Sequence, residues 1–226
     1  MLAGHLPWDL TSRLFTPLRI TIRPKDVLAG RFRVRSRRSA LILQGAFLQS
    51  GIMKLVRWRR FIWDVSKLPT HKAALPNHYN LRAAERDELR TIRNVIFSAF
   101  SLDTSWSDTF ITFREMLDTQ LELAFSREAV PALVITHGQR IIAASALNSE
   151  IDAETHLTSG PCVLVEYRNR GLGSTLLHAS LLQLQKAGLT RCTGICKDTA
   201  PTSKFVYPKF GSANEPYNFI PSPVEQ

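Results

Sequence analysis

The sequence predicts an α/β (α+β) domain with its elements in the order βααβββαβα and a further strand near residues 217–220. Three observations carry this. Residues 85–100 and 107–124 place apolar side chains at helical spacing. Residues 131–136 and 140–147 are compact apolar runs joined through His137-Gly138-Gln139, a hairpin signal. Residues 163–175 run from an apolar strand through a basic, glycine-containing turn into an amphipathic helix.

Taken in order, residues 79–83 read as a short strand. The first helix, over 85–100, turns Leu89, Ile92, Ile96 and Ala99 to one face, and its acidic first turn, Glu85, Asp87 and Glu88, suits the positive end of the helix dipole. The second starts at Ser107 or Asp108 and lines up Phe110, Phe113, Leu117, Leu121 and Ala124. Residues 156–165 read as a strand buried at Val163 and Leu164. A helix over 171–187, a strand over 189–197 and a short helix over 201–207, stopped by Pro208, complete the order.

The 226 residues carry 29 basic and 19 acidic side chains, a net charge of +10 that suggests polyanion binding. The charge is local, however. Residues 1–80 hold 15 basic and 3 acidic side chains, net +12, and the remainder is net −2. We therefore expect a basic, Arg-rich N-terminal extension over 1–76, disordered or weakly helical, and a folded domain over 77–226. Pro7, Pro17, Pro24, Pro69 and Pro76 interrupt any pattern in the extension, and Trp58 and Trp63 would pack a short helix onto the domain or another surface. A basic arm, a targeting peptide, or sequence upstream of a later start at Met53 all fit this composition. Residues 39–53 are apolar, but Gln44 and Gln49 break them well short of the ~20 residues of a membrane span.

Cys162, Cys192 and Cys196 form an odd set that does not suggest a secreted disulfide framework, and a cytoplasmic protein without a metal is expected. Cys192 and Cys196 would share one face of a strand.

The chemistry concentrates at residues 163–175. A strand feeding a glycine-containing turn and a helix start leaves free amide groups suited to phosphate, with Arg168 and Arg170 adding charge. A P-loop is excluded, because Gly173 is followed by Ser174 and Thr175 without lysine, and a dinucleotide fingerprint fails at Leu176. An ordinary strand-to-helix turn stays open as the alternative.

Arg168-Asn169-Arg170-Gly171-Leu172-Gly173 resembles the R/Q-x-x-G-x-G/A loop of the GNAT superfamily of N-acetyltransferases, and Glu166-Tyr167 before it is also similar to many members. The loop's place, after the fourth strand and opening the third helix, is similar too. The resemblance runs from residue 77 to roughly 212. It implies a GNAT-like fold, a central mixed, mostly antiparallel sheet flanked by helices, and acetyl-CoA as co-substrate, with a binding set of Val163, Leu164, Val165, Arg168, Asn169, Arg170, Gly171, Leu172, Gly173 and Ser174. The pyrophosphate would rest on the N–H groups of Arg170 to Ser174, and the pantetheine arm would pair with the 163–165 strand. An N–H near Val163 or Leu164 would polarise the thioester carbonyl.

Residues 199–211 look like the family segment that ends in a tyrosine, which makes Tyr207 the general acid for the departing thiolate; a buried aromatic anchor is the alternative. The sequence departs from the family pattern at Ala200, where asparagine is frequent, and Thr199 or Ser203 would have to replace it. Glu154 and His156 are the weak candidates for a base, with Glu150 and Glu166 beside them, and none is privileged by spacing. Asp103, Trp106 and Asp108 would either hold a cationic amine or cap and pack a helix. The implied function is transfer of acetyl to a primary amine, of a small molecule or a peptide, in a ternary complex. A non-catalytic acyl-CoA-binding regulatory module is the alternative. Neither a membrane nor nucleic acid is the expected partner, and the fold is compatible with a homodimer.

Overall fold

Trp58–Asp64 (β1), inside the segment that composition assigns to an extension, forms the middle strand of a sheet in the computed structural model, which describes residues 56–70 and 75–219. It pairs antiparallel with Arg191–Lys197 (β6) on one side and Ala213–Tyr217 (β7) on the other. Phe61, Trp63 and the following Val65, at every second position, are fully buried. The compact unit accordingly runs Leu55–Gln226, which corrects the boundary expected at residue 77. The arginines that obscure this strand lie in cross-strand pairs. Arg59 donates to Asp198 (2.8 Å) and Asn214 (2.7 Å), and Arg60 bridges to Glu154 (3.3 Å) and Glu215 (3.4 Å). Residues 1–55 and 71–74 of the expected extension lie outside the described residues.

The second sheet has the order β2-β3-β4-β5, from Tyr79–Ala83 (β2), Ala132–His137 (β3), Arg140–Ala146 (β4) and Cys162–Val163 (β5). Where one mixed central sheet was expected there are two, and all of the strand pairs among the described residues are antiparallel. The expected strand over 156–165 breaks because Gly160 takes a left-handed φ of 63° and Pro161 has no N–H. Its first part instead joins the sheets: Leu157 bridges Leu147, and the amides of His156 and Leu157 both reach Thr193 O (2.9 and 3.0 Å). The sheets meet there and part between β5 and β6.

Leu89–Ser101 (α1) follows a capping box in which Glu88 accepts the Glu85 N–H (2.8 Å) while paired with Arg82. It buries Ile92, Val95, Ile96, Ala99 and Phe100. Phe110–Ser126 (α2) buries Phe113, Leu117, Leu121 and Ala124, the predicted stripe without Phe110. Leu172–Lys186 (α3) buries Leu172, Leu176, Leu177, Leu181 and Leu184. Helices α1 and α3 both pack on β4, whose residues 141–146 are all buried, so they cover its opposite faces. Removing one large ring from this core, as in Phe61→Ala, costs about 3–5 kcal/mol.

The turn after β6 is a π-helix, Thr202–Val206, that passes into a 3-10 turn, Tyr207–Phe210. Pro208 does not end it, because in the first turn of a new helix its missing N–H is not needed. Strand β7 begins earlier than the run expected at 217–220. Among the described residues no helix is long and apolar enough to cross a membrane.

Candidate active site

A cavity of about 620 Å³ opens where β5 and β6 part, bounded by the start of α3, the π-turn and the α1–α2 loop. The ladder fixes which backbone groups face it. Leu164 N–H donates to Ile142 O (3.0 Å), so residues 162 and 164 point at β4 and Val163 turns its N–H and C=O into the gap. Its carbonyl accepts from Arg168 Nε (3.2 Å), and its N–H has no partner among the described residues. On the facing side Thr193 uses both backbone groups on the 154–158 segment, so by alternation Ile195 also faces the gap. Of the three strand residues expected to bind, only Val163 presents an open edge. The Leu164 N–H is held by β4, and Val165, in an exposed 3-10 turn, lies outside the cavity.

At the turn, Asn169 (φ 61°) and Gly171 (φ 79°) are both left-handed. No hydrogen bond among the described residues engages the amides of 169–173, whereas Ser174 N–H bonds Gly171 O (3.0 Å). The open amides are therefore those of Asn169 to Gly173, one residue earlier at each end than the run expected to meet a phosphate. The Leu172 side chain is core, so that residue offers only its backbone. A Cβ on Gly173 would meet Val163 at an ordinary 3.8 Å, so packing does not demand glycine there. What the missing side chain keeps open is the approach to the amides.

The two expected arginines already have partners, and of the two only Arg168 lines the cavity. Arg168 binds Ala99 O (2.7 Å), Asp103 (3.2 Å) and Val163 O, tying the last turn of α1 to β5. Arg170 binds Tyr79 Oη and Glu166 O (both 3.0 Å) over the Tyr167 ring, outside the cavity lining. A second cation at the cavity, beside these amides, is Lys209, with Nζ 3.4 Å from Ser174 Oγ. Only its place two residues after Tyr207 signalled it in the sequence.

Tyr207 lines the cavity and is 2% exposed, edge-on to Phe61 (4.8 Å) and Trp63 (5.0 Å). The i→i−5 bond from its N–H to Thr202 O sets the turn that aims it inward. Its hydroxyl makes no hydrogen bond among the described residues, and burial holds the phenol well above its ordinary pKa, so it stays protonated. A Cβ on Gly160 would lie 2.5 Å from Tyr207 Oη, so the missing side chain at 160 is what makes room for the hydroxyl. Ala200 is buried, and Ser203, one suggested substitute, donates to Asp198 O (3.0 Å). Thr202, next along, lines the cavity, and Thr199 does not.

The expected bases are not at this cavity. Glu154 is exposed, accepts Tyr217 Oη (2.6 Å) and pairs with Arg60. His156 is 4% exposed; its Nδ1 accepts the Thr193 N–H, which places the neutral ring's proton on Nε2. Burial lowers its pKa, against the Glu150 and Ile151 carbonyls that raise it, so it is a neutral brace between the sheets. Glu150 pairs with Arg127 and Glu166 with Arg140. In the α1–α2 loop, Asp103 accepts from Ser105 as well as Arg168, and Asp108 pairs with Lys197 Nζ (2.5 Å). The described cavity lining thus has no unpaired carboxylate and no imidazole. Cys162 and Cys196 line it as free thiols, and no three His, Cys, Asp or Glu among the described residues cluster as a metal site.

The chain is similar to several solved acetyltransferases. A GCN5-related N-acetyltransferase from Kribbella flavida aligns with TM-score 0.48 and 14% identity over 77% of this chain and 60% of that one. A GCN5-related glucosamine N-acetyltransferase region of a fungal multi-domain GH3 β-N-acetylglucosaminidase gives 0.49 and 15% over 79% and 22%. A GNAT family acetyltransferase from Brucella melitensis, in complex with acetyl-CoA, gives 0.35 and 20% over 50% and 72%. The chain spans less than two thirds of the first two proteins. No protein-family model and no curated protein matches it.

Proposed function

We propose that the chain is an N-acetyltransferase that uses acetyl-CoA and acetylates a primary amine by direct transfer in a ternary complex. The observation that carries this reading is a coincidence in one cavity: the free amides around 169–173, the open edge of Val163 and the protonated Tyr207 hydroxyl. The groups fit the co-substrate from end to end. The amides of 169–173 and Lys209 suit its pyrophosphate, and the facing edges of Val163 and Ile195, with Thr202, suit the amides of its pantetheine arm.

When bound, acetyl-CoA supplies a thioester whose carbonyl carbon the amine nitrogen attacks as the C–S bond breaks. The Val163 N–H stabilises charge building on the carbonyl oxygen, a contribution of about 2.7–4 kcal/mol for such a donor. Tyr207 gives its proton to the departing sulfur and regains one from the nitrogen as the amide forms, so the net proton path runs from nitrogen to sulfur.

Calorimetry with acetyl-CoA and initial-rate assays of thiol release across an amine panel test this. Saturable binding with intersecting double-reciprocal lines is expected, and parallel lines would refute direct transfer. The lack of an unpaired base in the cavity lining favours a second reading, a non-catalytic acyl-CoA-binding regulatory module, which predicts binding with no thiol release.

A further inference from the structure

Resting on the acetyl-transfer reading, we infer that the acceptor is an uncharged aromatic amine, seated among the rings at the α1–α2 end of the cavity. That end is lined by Trp58, Phe100, Trp106, Phe113, Phe219 and Met116. Trp58 stacks on Phe219 at 4.4 Å and meets Trp106 edge-on at 5.7 Å, while Phe100 meets Trp106 and Phe113 edge-on at 4.7 and 5.1 Å. Such an arrangement offers both faces and edges to a flat apolar body. The rings and the 169–173 turn line the same cavity, so a body seated among the rings shares it with a ligand held at the turn.

The electrostatics select against a charged amine. Both carboxylates of the loop are already paired, Asp103 with Arg168 and Asp108 with Lys197. The Lys197 side chain is only 4% exposed, and its Nζ lies 5.8 Å from the Trp106 ring, so this ring already serves a cation. An ammonium ligand would find Asp103, the carboxylate of the described lining, already neutralised by Arg168, with Arg168 and Lys209 adding like charge to the same cavity. An arylamine is neutral at neutral pH and needs no base to deprotonate it before attack, in keeping with a cavity lining that has none unpaired; the proton lost as the amide forms passes to Tyr207. The same environment disfavours an alkylammonium such as a polyamine or a lysine side chain.

The test is a matched pair of ligands at neutral pH, 1-naphthylamine, which is neutral, and 1-naphthylmethylamine, which is cationic, with spermidine as a third. Binding to the full chain is followed by saturation-transfer NMR with and without acetyl-CoA, and turnover by thiol release. The neutral ligand is expected to bind roughly tenfold more tightly or better than the cationic one, and spermidine not at all. Met116→Glu places a carboxylate at the half-exposed rim without touching the core, and is expected to reverse the preference. Equal or tighter binding of the cationic ligands to the unaltered chain overturns the inference. Selective arylamine binding without any acetyl-CoA binding would sink the transfer reading and leave the aromatic subsite standing.

Discussion

Tyr207→Phe is expected to slow the reaction while leaving the fold close to equal in stability. The substitution keeps the edge-on contacts with Phe61 and Trp63 and removes only a hydroxyl that has no hydrogen bond among the described residues. Tyr207 lines the cavity and its hydroxyl is not among the fully enclosed unpartnered atoms, so its removal should leave stability within about 1 kcal/mol, or about 2–4 °C in Tm for a unit of this size. Loss of a general acid costs about 10²–10⁴-fold in rate, or roughly 3–5 kcal/mol of barrier. Stopped-flow thiol release, acetyl-CoA calorimetry and a thermal melt on the same preparation separate the effects. A turnover number within threefold of the parent removes Tyr207 as the acid, and a Tm lower by several degrees shows that the hydroxyl has a structural partner.

Other expectations follow from the same geometry. Gly160→Ala puts a Cβ within 2.5 Å of Tyr207 Oη at a positive φ; it should cost at least about 1–2 kcal/mol by urea unfolding and lower turnover by displacing the phenol, and an active, equally stable variant would contradict the close approach. Arg168→Ala should cost about 2–4 kcal/mol, because three partners lose their donor, with the acetyl-CoA Kd within about threefold; a weakened Kd at unchanged stability would return Arg168 to ligand binding. Burial pushes the thiols of Cys162, Cys192 and Cys196 up to about 12. Well below the unfolded thiol pKa of about 8.5–9 they are protonated in both states and the stability is unaffected; as pH rises through it the unfolded chain releases protons that the fold retains. Stability should then fall by up to about 1.4 kcal/mol per pH unit per thiol until about pH 12. Urea midpoints across alkaline pH measure the slope, which Cys192→Ala should reduce by one thiol's share.

The helices and the β3–β4 hairpin were legible because their apolar periodicity matches what they bury: Ile92, Ile96 and Ala99 in α1, and Leu117 and Leu121 in α2, face the core as read. Strand β1 was hidden by charge counting. Phe61, Trp63 and Val65 alternate as a strand should, but Arg59 and Arg60 between prolines read as a solvated arm, and their acidic partners lie more than 90 residues away. At the site, the turn and Tyr207 could be placed from local residue order. The roles of the two arginines could not, because Arg168 is claimed by Ala99 and Asp103 on α1 and its following loop, and Arg170 by Tyr79 on β2. His156 and Glu154 illustrate the same limit: their partners, Thr193 and Tyr217, are chosen by the meeting of the sheets.

The position of β1 has a consequence for how the chain comes together. Its partners are the last two strands, so residues 58–64 must wait until residues 191–217 have left the ribosome before pairing. Such distant contacts slow folding and leave Phe61 and Trp63 exposed meanwhile. The sheet β2-β3-β4-β5 needs nothing beyond residue 163 to pair, and can form first. The wall that holds Tyr207 and one side of the cleft then closes as a late event, and a cavity fit for the proposed co-substrate is complete only when the two chain-distant parts have met.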